Sequence, residues 1–175
     1  MATLINEEDI KVHIERLATE IYQTNSGQLV FLGLGDNGKI LAKRIAKCIL
    51  TKFGDNVLVG QLDVTLYKRH DQKDHFVTLG KSEISFTLQN KTVILITDQV
   101  NTGRTMIAGL NALSDYSEPN VVKCCCLVFR DCIRRPIHFD YIGEAVSTVK
   151  SVSLTCCFYE KDGEDVVKDL VNEHV

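Results

Sequence analysis

Apolar residues recur along this chain with two different periods, and the alternation between them is the first clue to its architecture. Over residues 7–23 they fall three and four apart, at Ile10, Ile14, Leu17, Ala18 and Ile21, the stripe of an amphipathic helix. Asn6 is a suitable N-cap, and Glu7, Glu8 and Asp9 suit the positive end of that helix. Residues 28–32 form a short continuous apolar run, the pattern of a buried strand. A glycine loop over 33–38 follows and opens a predicted helix over 39–52. Further strands are predicted over 57–66, 91–96, 121–129 and 152–159, of which 91–96 is the most hydrophobic. A helix over 105–113 follows that strand, and a short helix over 162–173 closes the chain. The polar stretch 67–80 has mixed charge and predicts a mobile loop or outlying hairpin, in a segment that extends to about residue 88.

Strands alternating with helices predict an α/β fold: a parallel sheet with helices on both faces. Ligands bind such sheets at the carboxyl ends of the strands, in the loops that open helices. Three loops therefore carry the functional interest, over 33–38, 97–105 and 129–136. No repeat, low-complexity segment or linker interrupts the chain, so residues 1–175 read as a single domain.

Composition narrows the function classes. With 45% hydrophobic and 25% charged residues, the chain has the ordinary balance of a globular protein. No apolar run approaches the roughly 20 residues of a membrane span. The first nine residues carry three acids and no basic cluster, unlike a secretion signal, so a cytoplasmic location is expected. A net charge of -3 gives no bulk attraction to nucleic acid or anionic lipid. RNA binding would need a local patch, for which Lys123, Arg130, Arg134 and Arg135, with Lys68 and Arg69, are the candidates; so small a cluster is more often a solvated face, and RNA is not favoured. The seven cysteines include the runs Cys124-Cys125-Cys126 and Cys156-Cys157. Neighbours on a strand point to opposite faces and cannot grip one tetrahedral metal. They read as small buried hydrophobes in a reducing compartment. His70 and His75 lie beside Asp71 and Asp74 in the polar loop, where surface placement is expected rather than metal binding. His13 is expected on the polar side of the first helix, and His138 at a strand edge.

The segment KTVILITDQVNTGRTMIAGLNAL is the most informative. A hydrophobic strand ends at Thr97-Asp98, and Asn101-Thr102-Gly103-Arg104-Thr105 turns into a helix. Gly103 allows close backbone approach to an anion, Thr102 and Thr105 add hydroxyls, and the helix start offers free N–H groups. Asp98 can accept from ribose hydroxyls or help hold a metal ion. The alternative is a capped helix after a turn, with Thr and Asp doing capping work.

This segment resembles the PRPP-binding motif of type I phosphoribosyltransferases: a hydrophobic strand, two acids, then a TG-x-T phosphate loop. Within that superfamily the chain is most similar to the PyrR family, bacterial pyrimidine-operon regulators that are also uracil phosphoribosyltransferases. LINEEDIKVHIERLATEI is similar to that family's first helix, VGQLDVTLYKR to its GEIDITLYR segment, and FDYIGEAVST to its DYIGKNIPTS stretch. The resemblance implies transfer of a phosphoribosyl group from magnesium-bound PRPP to a nucleobase, uracil favoured, giving a nucleoside monophosphate and pyrophosphate. It implies that Thr97, Asp98, Gln99 and Asn101 to Thr105, including Arg104, bind the 5-phosphate and ribose. Asp98 would also hold magnesium indirectly and, with Arg69, would be catalytic. Gly35, Asp36, Asn37 and Gly38 would form the pyrophosphate loop. Tyr67, Lys68 and Arg69 would sit on a flexible loop, and Phe129 and Arg130 would line the base. Homodimers or higher homo-oligomers are the family's habit.

Four departures fall on these positions. Thr97 stands where the family has the first of two acids. Gly35-Asp36-Asn37-Gly38 replaces a pyrophosphate loop of the form K-T-R-G, so Asp36 brings a negative charge where cations are expected. Phe129 and Asp131-Cys132-Ile133 replace most of an Asp-Arg-Gly-His-Arg pattern, although Arg130 remains. Lys68 replaces the arginine after the tyrosine, with Arg69 beside it. A catalytically weak or inactive nucleotide-binding regulator of the same fold is therefore an alternative reading. Gly33-Leu34-Gly35-Asp36-Asn37-Gly38 is also a literal GxGxxG with Asp63 further on, the outline of a dinucleotide-binding Rossmann fingerprint. That reading leaves the TGRT loop without a role.

Overall fold

A computed structural model describes residues 2–65, 82–147 and 153–170. Its centre is a five-stranded parallel sheet in the order β3-β2-β4-β5-β6. The strands are β2 (Leu29–Leu34), β3 (Leu58–Leu62), β4 (Thr92–Val100), β5 (Val121–Arg130) and β6 (Tyr141–Val146). Helices α1 (Glu7–Thr24) and α2 (Gly35–Phe53) cover one face, and α3 (Arg104–Tyr116) covers the other.

Side chains divide between the faces largely by alternation, as the pleat directs. Phe31, Ile94, Ile96, Cys125 and Leu127 pack with the apolar stripes of α1 and α2. Val30, Leu32, Val93, Leu95, Cys124 and Cys126 pack with Met106, Ala108, Ala112 and Leu113 of α3. The cysteine run thus feeds both cores. All seven cysteines are free thiols, and burial pushes Cys124 up to about 12 and Cys125, Cys126 and Cys156 further. These groups stay protonated and unreactive at neutral pH.

The first helix forms where the sequence predicts, with Asn6 Oδ1 accepting from the Asp9 amide at 2.9 Å. Other expectations need correction. The glycine loop is largely helical: α2 begins at Gly35, so Asp36, Asn37 and Gly38 belong to its first turn. The described part of the predicted closing helix over 162–173 is instead a strand, β8 (Val166–Leu170), preceded by a single turn, α4 (Tyr159–Asp162), and residues 171–173 lie outside the described residues. β8 pairs antiparallel with β1 (Thr3–Ile5) and β7 (Ser153–Cys157), giving a second sheet in the order β1-β8-β7. Adjacent β-branched Val166 and Val167 find two strand partners there, and tertiary pairing overrides the local pattern. His13 is not on the solvent face of α1. Its side chain is only 16% exposed, wedged against β6 with Nε2 3.3 Å from the Glu144 carboxylate. His138 lies in the connection between β5 and β6, not on a strand. Of the 67–88 segment, the described part includes Glu83, which bridges antiparallel to Gln61 of β3. His70 and His75 lie outside the described residues.

The second sheet is held to the core by Arg44 of α2, which lies over the Phe158 ring at 5.0 Å and bonds the carboxylates of Glu160 and Asp165. The guanidinium holds both carboxyls below their ordinary range. No helix among the described residues is long and apolar enough to cross a membrane.

Helix α2 approaches the sheet more closely than any side chain permits. A Cβ on Gly33 would lie 2.3 Å from the Lys39 nitrogen, and one on Gly38 would lie 2.5 Å from the Ile96 carbonyl oxygen. Alanine in a helix ordinarily stabilises relative to glycine by about 1 kcal/mol. Gly38→Ala is expected to destabilise instead, by about 1–3 kcal/mol through overpacking. Urea denaturation measures this, and a midpoint that rises or stays fixed contradicts the packing described.

Candidate functional site

Strand order reverses between β2 and β4: β2 continues outward to β3, and β4 to β5 and β6. Such a switch point leaves a crevice beyond the strands' carboxyl ends. β4 runs past the end of its pairing with β2, which stops at Gly33 opposite Ile96. Asp98 and Gln99 therefore project beyond β2, over the first turn of α2.

Asp98 is half-buried. Its Oδ2 accepts from Asn37 Nδ2 at 2.9 Å, and Thr97 Oγ1 stands 3.4 Å from its Oδ1. The same Asn37 nitrogen donates to the Cys156 carbonyl at 2.9 Å. Thr97 is 3% exposed, so the residue in place of an acid is a buried hydroxyl beside Asp98. Asp36 points away from this cluster, is exposed, and accepts from Gln61 Nε2 at 3.1 Å. Lys39, one turn along, is ion-paired with Glu83.

Asn101 to Thr105 connects β4 to α3. Gly103 is the N-cap of α3 with φ 81°, a left-handed conformation that strains other residues. No side chain caps this helix, which leaves its first N–H groups facing a cavity of about 240 Å³. Thr97, Gln99, Asn101 to Thr105, Arg130, Ser153 and Leu154 are among the residues lining it. Arg130 is 1% exposed at the end of β5. The following loop braces the turn from behind: Arg134 N donates to the Thr102 carbonyl at 3.4 Å, and Ile137 Cγ2 lies 3.1 Å from where a Gly103 Cβ would be.

The structure thus brings Thr97, Gln99, Asn101 to Thr105 and Arg130 to one cavity, with Asp98 between two of its lining residues in sequence and bonded to Asn37 of α2. Phe129 is turned into the α3-side core, its ring 5.8 Å from Phe139 in an edge contact. Tyr67, Lys68 and Arg69 lie outside the described residues. Of the described basic candidates, Lys123 and Arg130 do not share one patch. Lys123, near the start of β5, packs on Tyr141, seven residues from buried Arg130, or roughly 23 Å along a strand. Sequence reasoning missed Ser153 and Leu154 in the cavity wall and the Cys156 carbonyl on Asn37. Nothing in their local pattern distinguishes them, because β7 reaches the site only through the second sheet.

A parallel sheet whose crevice opens onto an uncapped, glycine-started helix defines an α/β protein with an anion-receptive switch point. Residues 2–156 match the phosphoribosyl transferase domain. The chain is 38% identical over 167 residues to the Bifunctional protein PyrR of Nostoc punctiforme, covering 94% of each chain. It is 33% identical over 178 residues to the protein of the same name from Bacillus subtilis, covering 98% of each. Among solved structures, a hypoxanthine-guanine phosphoribosyltransferase from Bacillus anthracis superposes with a TM-score of 0.68 at 16% identity, covering 98% of both chains. The chain belongs to the phosphoribosyl transferase domain family, and its class of chemistry is phosphoribosyl transfer. The close-packed Gly33 and Gly38 account for the GxGxxG spacing without a dinucleotide.

Proposed function

We propose that this protein binds PRPP and a pyrimidine base, uracil first, and forms the nucleoside monophosphate with release of pyrophosphate. The observation that carries the reading is the uncapped N-terminus of α3 behind Gly103, facing a cavity flanked by Asp98. Backbone N–H groups there suit a 5-phosphate, and a half-buried carboxylate beside them suits ribose hydroxyls. The identity to proteins named Bifunctional protein PyrR over nearly the full chain supports the pyrimidine.

Magnesium fits this donor set. The ion is usually held by one or two carboxylates together with substrate phosphates, and Asp98 offers a carboxylate whose Oδ1 is engaged, among the described residues, by a long contact to Thr97. Asp98 would hold the ion, which would supply positive charge against the substrate's phosphates. The chain's own residues position the ribose and phosphate, which is most of what catalysis at a cationic ribose requires.

The two ends of the site differ in charge. At the phosphate end, an open helix terminus suits an anion, and Arg104 and Arg130 line the same cavity. At the opposite end, Asp36 carries negative charge on the first turn of α2, and Lys39 is committed to Glu83. This favours a second, related reading: a nucleotide-binding regulator with slow turnover. Turnover with uracil is expected below the common enzyme value of about 10 per second. Pyrophosphate release from PRPP, assayed with each common base, tests both readings. Release fastest with another base sinks the uracil assignment, and a rate at or above the common value removes the slow-regulator reading.

Two substitutions separate the ends. Gly103→Val forces a β-branched residue into φ 81° against Ile137 and is expected to weaken UMP binding more than tenfold in calorimetry. Unchanged affinity in the folded variant would exclude the loop as the phosphate site. Asp36→Lys exchanges an exposed repulsion for an attraction and is expected to raise turnover roughly threefold to tenfold, after allowing for solvent screening. UMP affinity should stay within twofold, and a fall in turnover would show that Asp36 helps hold the leaving group.

A further inference from the structure

Two side-chain amides at the carboxyl end of the main sheet reach the same strand of the second sheet. Gln99 Nε2 donates to the Leu154 carbonyl at 3.1 Å, and Asn37 Nδ2 donates to the Cys156 carbonyl at 2.9 Å. Leu154 and Cys156 are two residues apart on β7, so their carbonyls share one edge. β7 is the last strand of its sheet, and this is the edge that β8 leaves open. Gln99 of β4 and Asn37 of α2 therefore dock β7 beside the site through amide donors.

Asn37 does more than Gln99, because the same nitrogen also donates to Asp98 Oδ2 at 2.9 Å. The two acceptors fix its orientation: reversed, the amide oxygen would face a carboxylate and a carbonyl. Its Oδ1 is buried and has no partner among the described residues. A residue serving as an anion ligand would aim its N–H groups into the crevice. Those of Asn37 are directed to Asp98 and β7.

We propose that Asn37 is a positioning residue for ribose recognition, holding the Asp98 carboxylate in place and tying it to β7, and is not a ligand of pyrophosphate. This rests on the reading of Asp98 as the acceptor for ribose hydroxyls. Its consequence is selective: the ribose is recognised through Asn37, whereas the phosphate, held by the turn from Asn101 to Thr105, is recognised without it. A merely structural role for Asn37 would affect both alike.

Calorimetric titration with ribose 5-phosphate and with inorganic phosphate tests this on the wild-type protein, Asn37→Leu and Asn37→Asp. The leucine variant removes both donations at similar volume. It should lose roughly ten- to hundredfold in ribose 5-phosphate affinity, the range for a hydrogen bond to a charged group, with phosphate affinity within twofold. The aspartate variant, which sets a second carboxylate against Asp98, should lose at least as much and again spare phosphate. If the leucine variant does not fold, the near-isosteric aspartate variant carries the test alone. Undiminished ribose 5-phosphate affinity in a folded variant overturns the proposal, as does a parallel loss of both ligands. A wild-type protein that binds ribose 5-phosphate no better than phosphate fails differently: it removes the role of Asp98 itself, and the inference with it.

Discussion

The site depends on a close approach between backbones. Gly33 on β2 and Gly38 on α2 have no side chains, so the first turn of α2 sits directly on the sheet, against the Ile96 carbonyl of β4. Any other residue at Gly38 would push the helix outward and carry Asn37 with it. Asn37 would then lose Asp98 and the Cys156 carbonyl, and β7 would lose one of its two amide anchors. The switch point is useful because this approach joins the helix start, the projecting end of β4 and the edge of β7 into one hydrogen-bonded unit.

Much of this was legible along the chain, where the signals are local. The stripe from Ile10 to Ile21 and the Asn6 cap define α1, and the hydrophobic run before Thr97 defines β4. The sequence Asn101-Thr102-Gly103-Arg104-Thr105 marks a turn into a helix, and it is one, with Gly103 in the conformation its position demands. Alternation across the strand separates Cys125 from Cys124 and Cys126 as expected. The misreadings concern structure made by distant partners. β8 reads as helix because nothing nearby shows that Val166 and Val167 pair with Cys157, Cys156 and Ile5. β6 carries a glycine, Gly143, whose Cβ would lie 2.4 Å from the Leu127 carbonyl, and that glycine weakens its strand pattern. The glycines at 33 and 38 read as a loop because close packing and flexibility call for the same residue.

The site shows the same division. Residues near one another in sequence, Thr97 to Thr105, could be grouped from their order alone. The bond from Asn37 to Asp98 spans 61 positions, and that from Asn37 to Cys156 spans 119. Asn37 could be assigned to the crevice by its place after β2, but the direction of its amide could not. Direction separates a ligand of the leaving group from a support for the ribose acceptor. The same geometry gives the site its uneven electrostatics. The uncapped α3 terminus makes one end receptive to a phosphate, while at the other Asp36 carries negative charge and Lys39 is paired with Glu83.

The central claim is that the turn from Asn101 to Thr105 receives the 5-phosphate of a nucleotide through its backbone. The most direct measurement is an amide-resolved NMR titration with UMP. The account predicts saturable, stoichiometric shifts, largest at the amides of Thr102 to Thr105, with smaller ones around Asp98. Saturable binding whose largest shifts fall elsewhere, leaving those amides unmoved, would contradict it.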